Sequence, residues 1–274
     1  MYQSALVSVD FSRSSIPMIK RLNYLASLGV RKAVIAHVKP TAGKQRDKSA
    51  SREELLKQLE EHAALLKEHV ETVETRLLSG DPVEQLLTLA SDEGLELLVS
   101  GSRAHHPARQ LLIGSTASGL VRKANRPLLL EDVRDADGGD DAVPRRDGPV
   151  LLATDGSKAA EAAEDEALSI VGDSRALRVL TVTSSNDIER AWQRLERITA
   201  KAEEKGVKLV RSVDLGRAEH VIPQIAAAER VSLIISGRRG RDGVRGVRLG
   251  STAEDVCRNA NRPVLLVPGI EQKN

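Results

Sequence analysis

Residues 114–130 read GSTASGLVRKANRPLLL, and residues 250–266 read GSTAEDVCRNANRPVLL. Eleven of the 17 positions are identical, at a constant offset of 136. Each stretch opens on Gly-Ser-Thr, continues with helix-compatible residues, and closes on Asn-Arg-Pro and an aliphatic run. Hydroxyl residues mark a helix start and proline its end, so each stretch predicts a helix leading into a buried strand. Self-similarity at a fixed spacing signals a duplicated unit. Gly101 and Gly237 share the offset, as do Pro127 and Pro263. Further upstream, ALVSVD ending at Asp10 matches VLLATD ending at Asp155, at an offset of 145. The difference of nine places an insertion in the first copy, and the polar stretch TAGKQRDKSASR, residues 41–52, is where it fits.

Between these landmarks, short aliphatic runs alternate with longer amphipathic stretches. The runs of the first copy are Ala5–Val9, Ala33–Val38, Val73–Leu78, Leu95–Ser100 and Leu128–Leu130. Those of the second are Val150–Thr154, Leu177–Val182, Val207–Val213, Leu233–Ser236 and Val264–Val267. Runs that are apolar on both faces suit the strands of a parallel sheet covered by helices. Residues 51–71 carry a helical stripe of Leu55, Leu56, Leu59, Ala63 and Leu66, and residues 186–204 read as a second helix. The acidic run Glu161 to Glu166 reads as a solvated helix face. The predicted fold class is α/β, with two tandem doubly wound domains joined by right-handed crossovers. Ligands of such sheets bind beyond the carboxyl ends of the strands. The domains are expected at residues 1–133 and 148–274. The Asp- and Gly-rich residues 134–147 read as a linker.

Composition narrows the function. The 274 residues include one Trp, one Phe and two Tyr, so the cores must be aliphatic. Platforms for single-stranded nucleic acid need aromatic faces for stacking, which argues against that class. Lys and Arg number 41 against 39 Asp and Glu, a net charge of +2, so no basic stripe for a polyanion is implied. The one cysteine, Cys257, excludes an intrachain disulfide and a CxxC metal site, and reads as a buried structural thiol. His105 and His106 would point apart on a helix, with no carboxylate or thiol nearby in sequence to complete a metal site. The apolar runs are too short to cross a membrane. Residues 1–10 lack the basic and apolar regions of a secretory leader, so a cytoplasmic location is expected.

The strongest chemical signal lies in the second copy. A strand runs into Gly237, with Gly240 three residues on and Gly250-Ser251-Thr252 at the start of the next helix. Glycine permits positive φ and close backbone approach. The amides at a helix start, with nearby hydroxyls, can hold phosphate oxygens. Arg238, Arg239, Arg241, Arg245 and Arg248 supply positive charge against one acid, Asp242. From spacing alone, a glycine-rich surface turn with a solvated basic face and an ordinary helix cap fits equally well. No GxxxxGK[ST] occurs, so a P-loop is not supported.

The spacing Gly237-x2-Gly240-x9-Gly250-Ser251 resembles the ATP-binding motif of the universal stress protein family. Asp155-Gly156-Ser157, Leu215-Gly216 and the Arg-Pro-Val-Leu-Leu-Val strand from Arg262 resemble that family too. The resemblance covers both copies. It implies a five-stranded parallel sheet in each domain, in the order 3-2-1-4-5, and ATP, with or without magnesium, as cofactor. Carried over by residue, it implies Asp155 against the adenosine and Val182 near the base. Gly237, Arg238, Gly240, Gly250, Ser251 and Thr252 would surround the phosphates. Family members pair through their last strand. Leu128–Leu130 and Val264–Val267 would make that pairing intramolecular, and two tandem chains could associate further as a homodimer.

The first copy keeps Asp10, Gly101, Gly114, Ser115 and Thr116 but has Ala104 at the second glycine position, then His105, His106 and Pro107. Alanine is costly wherever φ must be positive, and proline lacks a backbone donor. Weaker nucleotide binding is therefore expected at the first site. No lysine follows the glycines and no acid is placed to hold a metal or activate water, so rapid hydrolysis is not expected. The leading expectation is a stress-response protein that binds ATP in its second domain and signals to an unknown protein partner. The alternatives are a non-nucleotide interaction module and a slow ATPase using Asp155.

Overall fold

Ala5, Leu6 and Val7 expose at most 1% of their surface, and the same holds for Leu97, Leu98 and Val99 beside them. Full burial on both faces sets these segments as the middle strands of a parallel sheet. The structure, a computed structural model, describes residues 1–41, 50–102, 113–132, 148–172, 176–184, 187–238 and 251–269. Two units make up the chain. The predicted insertion and linker lie mainly outside the described residues.

In the first unit the strands are β1 (Ser4–Ser8), β2 (Lys32–Lys39), β3 (Thr72–Ser79), β4 (Leu97–Gly101) and β5 (Leu128–Glu131). Between them run α1 (Ser15–Arg21), α2 (Arg52–Leu66), α3 (Pro82–Asp92) and α4 (Ser115–Lys123). The sheet order is β3-β2-β1-β4-β5, with every pairing parallel. Helix α1 packs on α2 and α3 on α4, as expected of a doubly wound sheet.

The second unit repeats the plan with β6 (Val150–Ala153), β7 (Leu177–Thr183), β8 (Leu209–Leu215), β9 (Leu233–Gly237) and β10 (Val264–Val267). Its helices are α5 (Glu161–Val171), α6 (Ile188–Glu204), α7 (Ala218–Ala228) and α8 (Ser251–Asn259). Here β6 pairs with β7 and β9, β7 with β8 and β9 with β10, all parallel. Counted within each unit, both sheets have the order 3-2-1-4-5. Among the described residues, no helix is long and apolar enough to cross a membrane.

Three local readings need correction. On α2 the buried stripe is Leu55, Leu59, His62, Ala63 and Leu66, while Leu56 is 36% exposed. The helix also stops at Leu66, five residues short of the predicted end. In the second unit, Val207 is not part of β8. Gly206 takes φ +69, its amide bonds to Glu203 O, and the Val207 amide bonds back to Ala202 O. That double bond is a Schellman cap on α6, so the strand begins two residues later than its apolar run. Finally, Glu164, inside the acidic run of α5, is completely buried.

The outer strands differ from the inner ones. On β3, Glu74 pairs with Lys32 at 2.7 Å and with Arg76 at 2.6 Å, and Arg76 pairs with Glu93 at 2.7 Å. Hydrogen bonds from Lys32 and then Arg76 hold the Glu74 carboxyl below its usual range. On β8, Val210 and Leu215 are exposed, and the Arg211 guanidinium lies 5.8 Å from the ring centroid of Trp192 on α6. Trp192 itself is 40% exposed.

Candidate functional site

In the first unit the strand ends open into a cavity of about 560 Å³. All five first-copy candidates, Asp10, Gly101, Gly114, Ser115 and Thr116, line it. Asp10 follows β1, Gly101 ends β4, and Gly114 is the N-cap residue of α4. Glycine at that cap offers no side-chain acceptor to the first helical amides. They and the Ser115 and Thr116 hydroxyls therefore form an electropositive, hydrogen-bonding lip to the cavity. Further hydroxyls come from Ser8, Ser12, Ser14, Ser15 and Ser100. The Asp10 carboxylate is oriented locally: its Oδ1 accepts from the Ser12 amide at 3.0 Å and from Ser15 Oγ at 2.9 Å.

A residue that no motif marks stands in the same wall. His37 of β2 lines the cavity, and its Nδ1 lies 2.9 Å from Val9 O. A carbonyl partner requires Nδ1 to be the donor, so neutral His37 presents Nε2 as an acceptor. Burial lowers its pKa, the hydrogen bond to Val9 and the charge of Asp10 oppose that shift, and His62 adds to it. Phe11 stacks on the His37 ring, with centroids 4.2 Å apart, and meets His62 edge-on at 5.3 Å. The signal for His37 was available only by overlaying the copies. The equivalent position in the second unit is Thr181, whose Oγ1 donates to Thr154 O at 2.8 Å. Both copies thus place a polar donor in mid-strand to tie β2 or β7 to the loop carrying the aspartate.

In the second unit Asp155 follows β6 and Gly237 ends the adjacent β9. Asp155 Oδ1 accepts from the Ser157 amide at 2.9 Å, repeating the bond between Asp10 and Ser12. Val182 is half-buried near the end of β7, and its counterpart Val38 lines the first cavity. Ser251 begins α8 and Thr252 is exposed on its first turn. Gly240 and Gly250 lie outside the described residues, as do Arg239, Arg241, Arg245 and Arg248. In the first copy Ala104, His105, His106 and Pro107 do too.

Two expectations change here. Gly101 and Gly237 end their strands in regular parallel pairing and are not among the left-handed glycines. A Cβ at Gly101 would meet Met18 Sδ at 3.4 Å, an ordinary contact. The left-handed positions are instead one residue beyond each aspartate, Phe11 at φ +56 and Gly156 at φ +66. Arg238 does not belong to a solvated face: it is 9% exposed, and its amide bonds to Val267 O. Cys257 is buried as expected; burial first, then the nearby Glu254, pushes its thiol far up, which makes it a poor nucleophile.

A duplicated doubly wound sheet with an aspartate after the first strand and a Ser-Thr helix start after the fourth defines a class of tandem α/β proteins. The sequence model of the universal stress protein family matches residues 1–131 and 148–268, and the chain belongs to that family. A universal stress protein of Mycolicibacterium smegmatis is 29% identical over 214 residues, which is 73% of this chain and 70% of the relative. One from Mycobacterium tuberculosis is 25% identical over 210 residues, covering 71% of this chain and 68% of the relative. The crystal structure of a universal stress protein from Archaeoglobus fulgidus shares the fold, with a TM-score of 0.77, 23% identity, and coverage of 97% of this chain and 96% of that one.

Proposed function

We propose that this chain is a nucleotide-responsive regulatory protein that binds ATP or a related adenine nucleotide, principally in its second domain, residues 148–274. The observation that carries this reading is the convergence of Asp10, Gly101, Gly114, Ser115 and Thr116 on one cavity at the strand ends. The second domain repeats these landmarks as Asp155, Gly237, Gly250, Ser251 and Thr252 and adds Gly240 and an arginine-rich loop. In this reading Asp155 takes the ribose hydroxyls, Val182 packs near the base, and the glycine loop and Arg238 surround the phosphates, with magnesium as an accompanying ion. The first domain, residues 1–133, binds more weakly because Ala104 and Pro107 replace the permissive stretch. The role is binding rather than rapid turnover. A bound nucleotide changes the protein's behaviour only by its difference in affinity for two states, so a protein partner must read one of them.

Isothermal titration of the intact chain with ATP tests this. One ATP is expected per chain at the tighter site. Ser251→Ala should weaken it by about tenfold or more, the worth of a hydrogen bond to a charged group, and Gly237→Val should weaken it at least as much by placing a branched side chain where the phosphates approach the backbone. The absence of heat, or variants that titrate like the parent, would sink the reading.

A further inference from the structure

The two aspartate loops have nearly the same backbone but different supports. In the first unit, Ser15 Oγ bonds to Asp10, and Phe11 is braced by stacking on His37. In the second unit the loop is anchored to a buried carboxylate. Glu164, with 0% exposure, accepts at Oε1 from Thr154 Oγ1 at 2.8 Å. At Oε2 it accepts from Arg197 Nη2 at 2.7 Å and Nε at 3.2 Å. The network reaches the loop at two points. Thr154 Oγ1 accepts from the Gly156 amide at 3.0 Å, and Arg197 Nη2 donates to Ser157 O at 3.2 Å. Both points lie immediately after Asp155. Above the loop, a Cβ on Gly156 would overlap the Cβ of Arg194, so α6 closes directly onto it.

This network is not needed to build the loop. Counted from the two aspartates, Thr154 corresponds to Val9 and Glu164 to Ile19, and both of those are buried apolar residues in the same fold. Glu164 is fully buried while the Arg197 side chain is 34% exposed, and an ion pair of this kind rarely stabilises more than well-packed apolar residues of similar size, so stability alone gives little reason for it. What the carboxylate and guanidinium add over valine and isoleucine is direction. They fix two backbone groups directly after Asp155: the Gly156 amide, through Thr154, and the Ser157 carbonyl, through Arg197.

We propose that Glu164 and Arg197 are positioning residues for the second nucleotide site, holding the Thr154–Ser157 loop so that Asp155 is set for its ligand before the ligand arrives. The proposal rests on the nucleotide reading of the second domain. Preorganisation of this kind raises affinity by removing the entropy of ordering the loop on binding.

The test uses the full chain and the triple variant Thr154→Val, Glu164→Ile, Arg197→Leu, which installs the first unit's apolar pair and removes the guanidinium left unpartnered. Three readouts are taken: thermal midpoint, calorimetric titration with ATP and with adenosine, and hydrogen exchange at the Gly156 and Ser157 amides without ligand. The midpoint should stay within about 4 °C of the parent, the shift expected for a change near 1 kcal/mol in a chain of this size. ATP and adenosine should both weaken by about tenfold, by the same factor, since Asp155 serves the adenosine part. The Gly156 amide should exchange faster. Unchanged affinity in a folded variant overturns the proposal. If the triple variant does not fold, Arg197→Lys keeps the charge but cannot span Glu164 and Ser157 O together. It should bind both ligands about threefold more weakly, and parental affinity would overturn the proposal. A parent chain that binds neither ligand refutes the nucleotide reading instead. The exchange rate at Gly156 still separates the two failures: acceleration shows that the network orders the loop although no nucleotide is read there, and an unchanged rate overturns the positioning role as well.

Discussion

One residue beyond each strand-end aspartate, the backbone turns left-handed, and the two copies meet that demand differently. Gly156 adopts φ +66 without steric cost, whereas Phe11 at φ +56 carries strain of about 1 kcal/mol or more, offset by stacking on His37 and by the edge-on contact with His62. His37 therefore braces the loop as well as lining the cavity. Its lowered pKa has a consequence for acid stability. The unfolded chain accepts a proton near pH 6.5, whereas folded His37 resists it until lower pH, chiefly because of burial. The stability contributed by neutral His37 is thus present above about pH 6.5 and is lost as pH falls through the folded value. His37→Thr copies the donor at Thr181 and removes the titration. Urea unfolding at about pH 7.5 and pH 5.5 should show a smaller acid-induced loss in the variant. An equal loss in both proteins would assign the acid sensitivity elsewhere.

At the scale of elements, helix ends carry much of the specificity. Ser51 and Glu54 form a reciprocal capping box at the start of α2, with Ser51 Oγ accepting from the Glu54 amide at 3.1 Å and Glu54 Oε2 from the Ser51 amide at 2.7 Å. Ser51→Ala should cost about 1 kcal/mol, read as a lower urea midpoint with an unchanged slope. A cost near zero would mean that α2 is fixed by its buried stripe alone. On α7, Pro223 has no amide to give the Glu219 carbonyl, and Asn259 Nδ2 of α8 approaches that carbonyl at 3.4 Å instead. What was legible in the sequence follows from such physics. Inner strands such as Leu97–Gly101 were clear because burial on both faces leaves an unbroken aliphatic run. The boundary of β8 was not, because Val207 is apolar for a different reason: it closes the cap of α6. The buried role of His62 was hidden because its type is ambiguous, whereas Leu56, earlier on the same helix, looked the better core residue. Glu164 was misread because an acidic residue among acids looks solvated until its partners, distant in sequence, are known.

At the scale of the whole molecule, duplication explains why the site was more legible than its supports. Asp10 and Asp155, or Gly101 and Gly237, recur at matching places because the strand ends they mark recur. The braces around them diverged: hydroxyls and an aromatic stack in one unit, an ion pair in the other. If the second domain is the principal site, ATP should protect it selectively. At a ligand concentration of about 100 times the dissociation constant, local opening that excludes ATP should become up to about 100-fold rarer. Hydrogen exchange should then slow across residues 154–157 and 251–255 and change little across residues 10–12 and 115–119. Equal protection of both segments would show that the substitutions at Ala104 and Pro107 do not weaken the first site.

Trp192, the chain's one tryptophan, is half-exposed on α6 beneath the Arg211 guanidinium, within the second unit. The first unit has no indole at all. Emission excited at the red edge of protein absorbance thus comes from one half of a duplicated protein, while circular dichroism reports the helices of both. Comparing the two signals during a single denaturant titration separates the fate of each half without any added dye.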